Sequence, residues 1–174
     1  KDPMSMFCFQ CQETAGGKGC TVRGVCGKSE EVAKLQDLLI HTLRLIGKDV
    51  TEHKIDVSGE VELNREMLRG LFTTITNVNF DEEAIEAEIK KLLFMREELL
   101  KRHTGKAERV SWADSREVML KKAAESGVLE TEDPDVRSLR EMITYGLKGM
   151  AAYGEHAMNI GKENPVVYAF MYKA

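Results

Sequence analysis

The stretch from Phe7 to Lys28, FCFQCQETAGGKGCTVRGVCGK, constrains this chain more than any other, because it holds all four cysteines: Cys8, Cys11, Cys20 and Cys26. Their pattern is C-x2-C-x8-C-x5-C. Two residues between Cys8 and Cys11 let both thiolates reach one metal centre from a single turn, and Cys20 and Cys26 then close the site from a loop. Gly16, Gly17, Gly19, Gly24 and Gly27 lie between or beside them. Glycine accepts positive φ and lets backbone approach a bulky inorganic group. Amide N–H groups in such a loop can point at cluster sulfurs and help set their potential.

Three chemistries compete for these thiols. A tetrahedral zinc takes four cysteines, but structural zinc sites more often use two CxxC-like knuckles, and only one half here has that form. Two disulfides suit a secreted mini-protein; a chain of 174 residues can bury an adequate core without them. An iron–sulfur cluster is held by four thiolates. Spacing and glycine content favour the cluster over zinc and zinc over disulfides, with all three left open.

Hydrophobic residues make up 43% of the chain and charged residues 31%, ordinary for a soluble helical protein. Three prolines leave room for long helices. A net charge of −4 argues against nucleic acid, which asks for a basic face. No apolar run reaches membrane-spanning length and no signal-type hydrophobic core opens the chain, so the cytoplasm is the expected location. Lys1, Lys18, Arg23 and Lys28 against Asp2 and Glu13 make the cysteine end mildly basic. That bias could steer an acidic redox partner, although loop lysines are more often solvated surface. Lys1-Asp2-Pro3 before Met4 reads as a tag remnant, setting 1–5 apart from the loop of 6–28 and the helical bundle of 29–174.

Periodicity and capping residues predict five or six helices in one or two small bundles, an all-α fold. Ser29 caps the first, with apolar positions Val32, Leu35, Leu39, Leu43 and Ile46 and a stop at Gly47. A short extended piece is expected at Ile55–Val57. The second helix spans about 60–76, burying Leu63, Met67, Leu68, Leu71 and Ile75. Asp81 starts the third, which ends before Gly105. Asp114 with Glu117 starts a fourth that ends at Gly127. Asp133-Pro134 starts a fifth running past Tyr153, and Asn164-Pro165 a short sixth. Gly146, Gly149 and Gly154 in the fifth suggest close approach by another helix. The helical methionines (Met67, Met95, Met119, Met142, Met150 and Met158) read as core filler. His41 reads as a packing residue, and Glu82–Glu83 and Glu97–Glu98 as solvated charge rather than acid–base pairs.

The runs MFCFQCQETA, GCTVRGVCGK and LQDLLI closely resemble the start of the hybrid cluster proteins, also called prismane proteins or hydroxylamine reductases. LFTTITNVNFDEE and GLKGMAAYGEHA continue the resemblance, which covers nearly the whole chain from Met6. The cysteine block is its most specific part. The resemblance implies helical bundles and a [4Fe–4S] cluster on Cys8, Cys11, Cys20 and Cys26. In some members with wider spacing the cluster is [2Fe–2S]. It further implies that the chain is only an N-terminal domain, because the family's hybrid cluster takes His, Glu and Cys ligands from later domains and no cysteine follows Cys26.

The implied function is a relay of single electrons from an external donor to a hydroxylamine-reducing centre in those domains, with no catalytic residue of its own here. Tyr145, Tyr153, His156 and Tyr168 are expected to face the remaining domains. Without those domains the chain is expected to self-associate, and in air an apo form with free or linked thiols is the competing state. The alternative function is a zinc-binding or metal-free structural module.

Overall fold

The computed structural model describes residues 5–75 and 78–174. Among them are six α-helices: α1 (Glu30–Glu52), α2 (Val61–Thr73), α3 (Glu82–Thr104), α4 (Arg116–Ala124), α5 (Pro134–Asn159) and α6 (Pro165–Lys173). The only extended pairing among the described residues is an isolated antiparallel bridge between Cys8 and Cys20. The fold is all-α. The piece expected to be extended at Ile55–Val57 pairs with no strand, and both side chains are buried.

The capping residues act where the sequence places them at α1, α3, α5 and α6. Ser29 accepts from the Val32 N–H, Asp81 from Ala84, Asp133 from Asp135 and Val136, and Asn164 from Val166. Each satisfies donors that a first turn leaves without partners. At α4 the cap is Ser115, not Asp114; Asp114 instead pairs with Arg109 at 2.6 Å. That helix stops at Ala124, short of Gly127, as Ser126 turns its hydroxyl back onto the Lys122 carbonyl at 2.8 Å. The expected end of the second helix at Thr76 lies outside the described residues.

Gly47 does not end α1. The helix runs on to Glu52 because its last turns are anchored: Val50 is in the core, and the buried Asp49 meets the buried Arg96 of α3. Gly47 packs beside α6, where a Cβ would lie 3.4 Å from the Tyr172 carbonyl oxygen, an ordinary contact.

Helix α1 is the central element, packed by α2, α3, α4 and α6, while α5 lies on α2. Leu35, Leu38, Leu39 and Ile46 of α1 share one apolar cluster with Ile85, Ile89, Leu92 and Leu99 of α3 and Leu68 of α2. Arg116, at the start of α4, pairs with Glu31, Glu82 and Glu86, so Glu82 is a structural partner rather than free surface charge. Met67 and Met119 are buried, but Met142 is 65% exposed. Of the three glycines in α5, only Gly154 has a close neighbour: a Cβ there would fall 2.4 Å from Leu68 Cδ1, whereas Gly146 and Gly149 face open space.

Candidate metal centre

The loop before α1 is built on its own backbone. Cys8 and Cys20 exchange both N–H···O bonds, at 3.0 and 2.8 Å, which holds the two residues opposite each other. The Thr14 N–H bonds the Cys11 carbonyl at 3.1 Å, folding the first knuckle into a tight turn. Thr14 Oγ1 donates to the Cys8 carbonyl at 3.0 Å and lies 3.7 Å from Cys20 Sγ. Around Cys26 the chain closes again: the Gly24 N–H bonds the Lys28 carbonyl at 2.9 Å, and the Gly27 N–H bonds Gly24 at 2.8 Å. Ser29 then starts α1, so the helix cap fixes the outgoing end of the Cys26 turn.

Two glycines here are required by space. At Gly19, φ is 130° and a Cβ would sit 2.5 Å from the Phe7 ring. At Gly24 a Cβ would lie 2.9 Å from the Lys28 Cβ and 3.1 Å from Cys26 Sγ. A side chain at either position would push on the cysteine turns directly.

All four thiols are free. Cys20 is buried, Cys8 and Cys11 are half-buried and Cys26 is exposed. The Ala15 N–H points at Cys20 Sγ at 3.5 Å. Backbone N–H groups of Ala15 and Val25 hold the Cys20 thiol below its ordinary pKa, against the opposing effect of burial. A sulfur that receives amide hydrogen bonds is prepared to stand as a thiolate, the form that binds metal. Among the described residues, no three His, Cys, Asp or Glu side chains are gathered to hold one metal ion.

Beside Cys8 lies a cavity with several charged lining residues that the sequence reading missed. Cys8, Lys28, Asp37, Glu141, Lys148 and Tyr145 are among its lining residues. Lys28 is 1% exposed, and its Nζ lies 3.8 Å from Cys8 Sγ and 5.8 Å from the Phe80 ring centre. It is therefore not a solvated loop lysine that could steer a partner. Lys148 is also buried and donates to the Thr74 carbonyl at 3.3 Å. Burial pushes the Asp37 carboxyl up to about 7 and the Lys148 ammonium down to about 8.

A signal for these residues was present in the sequence: Asp37 is the lone acid of LQDLLI, and Lys148 stands between leucine and glycine in GLKGM. His41 lies edge-on to Trp112 at 6.2 Å, a packing role, with burial lowering its pKa.

The sequence pattern of the Prismane/CO dehydrogenase family matches residues 6–174. This chain belongs to that family. Among similar proteins, the hydroxylamine reductase of Acetivibrio thermocellus is 60% identical over 174 residues, covering 98% of this prismane-family chain and 32% of that protein. The hydroxylamine reductase of Clostridium perfringens is 52% identical, with 97% and 32% covered, and that of Bacteroides fragilis 47% identical, with 97% and 31% covered. The prismane-family chain thus spans about a third of the length of these relatives, corresponding to their N-terminal part.

Proposed function

We propose that Cys8, Cys11, Cys20 and Cys26 hold a [4Fe–4S] cluster and that this chain is the electron-relay part of a hydroxylamine reductase-like oxidoreductase. The observation that carries the proposal is the pairing of Cys8 with Cys20, whose sulfur receives a backbone N–H in a glycine-rich loop. The donor set fits the group: four free thiols on one loop.

When bound, the cluster supplies one-electron storage at the surface of the fold. The four cysteines would anchor it, with the Ala15 N–H directed at Cys20 Sγ and Ala33 of α1 in the small apolar cluster around the buried Cys20. The whole reaction, NH2OH + 2 e− + 2 H+ → NH3 + H2O, belongs in this proposal to the remaining domains of the full protein, supplied by an external donor in the cytoplasm. Those domains are assigned to the exposed face of α5, where Leu139, Met142, Tyr145 and Tyr153 are 58%, 65%, 62% and 81% exposed. Tyr168 does not share that face, because it is buried and donates to Glu163 Oε1 at 2.7 Å.

Anaerobic reconstitution with iron and sulfide tests the assignment. About four irons per chain are expected, with a brown colour that bleaches on dithionite and an EPR signal of the reduced protein. Each of Cys8→Ser, Cys11→Ser, Cys20→Ser and Cys26→Ser should lower iron content and alter that signal. A colourless protein carrying one zinc, or serine variants with full iron and unchanged EPR, would overturn it.

A further inference from the structure

Lys28 poses an electrostatic problem that the fold alone does not solve. Lysine is almost never fully buried unless paired, and an unpaired buried ammonium is strongly unfavourable. Lys28 is 1% exposed. Its contacts are Cys8 Sγ at 3.8 Å and the face of the Phe80 ring. Among the described residues, none of the ion pairs within 4.0 Å includes it. The two carboxylates lining the same cavity have other cations nearby. Glu141 pairs with Arg44 at 3.3 Å, and the charge of Lys148 acts on Asp37 more strongly than that of Lys28. Lys28 is thus a buried ammonium with no carboxylate in ion-pair range among the described residues, and the ligand sulfur of Cys8 lies 3.8 Å from its Nζ.

We propose that Lys28 is the built-in counter-cation of the iron–sulfur centre, a positioning residue that raises its reduction potential. This rests on the cluster reading of the loop. Adding an electron to the cluster adds negative charge, and net charge and hydrogen bonds to sulfur set cluster potentials. A fixed ammonium beside one ligand sulfur, shielded from water by Phe80 and the start of α1, therefore favours the reduced form. The same charge strengthens retention of the cluster, since the loaded site brings negative charge beside a buried ammonium.

The test compares the full chain with Lys28→Met, which keeps length and removes charge, and Lys28→Arg, which keeps charge. Each is reconstituted anaerobically, assayed for iron, checked for helicity and titrated with EPR detection. All three are expected to carry iron. Lys28→Met should be harder to reduce by about tenfold or more, a shift of about 59 mV to lower potential for one electron, while Lys28→Arg stays near the parent. If Lys28→Met loses its iron and Lys28→Arg keeps it, the charge is required for retention, which also supports the proposal. An unchanged potential in iron-loaded Lys28→Met would overturn it, as would equal loss of iron in both variants. Should Lys28→Met not fold, Lys28→Gln makes the same comparison. A parent chain that takes up no iron would instead sink the cluster reading itself.

Discussion

Gly154 and its neighbours in α5 show how one residue type serves different ends. An alanine at Gly146 or Gly149 meets nothing within 4 Å and should stabilise the chain by up to about 1 kcal/mol, the usual penalty of glycine inside a helix. At Gly154 the added methyl would fall 2.4 Å from Leu68 Cδ1, and Leu68 is 1% exposed and packed in the core. Gly154→Ala should therefore lose that gain and lower the melting temperature relative to Gly146→Ala. Thermal unfolding of the three variants checks the order. In the sequence these glycines look alike, because each lies inside the same helical stretch. Only the position of Leu68 on a different helix separates them.

Helix-to-helix ties depend on a few charged pairs that periodicity hides. Arg96 and Asp49 are both buried, and Arg96 also donates to the Glu108 carbonyl at 2.6 Å. The pair joins the last turn of α1 to the middle of α3 and to the loop beyond it. Arg96→Ala should cost about 3–5 kcal/mol, since it strands a buried carboxylate, and Arg96→Met with Asp49→Leu should recover much of that loss in urea unfolding.

A second tie has a pH signature. Arg65 donates to both Glu163 oxygens, at 2.8 and 2.6 Å, and with help from the Tyr168 hydroxyl it pulls the Glu163 carboxyl down to about 2. A folded-state value below the unfolded one gives stability that is present above about pH 4.5 and lost as pH falls toward 2. Glu163→Gln should therefore melt lower than the parent at pH 7, with the gap closing between about pH 4.5 and 2. Caps, by contrast, were legible at α1, α3, α5 and α6, because a cap is a local bond between a side chain and a backbone N–H two or three residues on. The end of α1 was not, because Gly47 breaks a helix only where nothing beyond it is anchored, and Asp49 and Val50 are anchored by α3 and the core.

At the scale of the whole molecule, α5 presents an open face with exposed apolar side chains. Only Thr144, Lys148 and Ala151 of its residues are buried, and apolar side chains at 139, 142, 143 and 145 face outward. An exposed apolar patch of this kind marks an interaction surface. The isolated chain should self-associate as concentration rises, and Leu139→Lys with Met142→Glu should return it to a monomer in sedimentation measurements. A parent chain that stays monomeric at high concentration would count against assigning the remaining domains to this face. Reductase assays on the same chain should give no turnover, since the substrate centre is proposed to lie outside it.

The helices were written locally: caps beside apolar stripes and prolines at the first turns are all decided by residues a few positions apart. Family membership was legible for the same reason, as it rests on contiguous runs such as GCTVRGVCGK. The burial of Lys28, the sharing of Arg116 among three glutamates and the meeting of charged residues in the cavity beside Cys8 were decided only by tertiary structure. Each depends on charges from helices distant in the chain meeting where water is excluded, and a charge's surroundings, unlike a helix's start, are not encoded next to it.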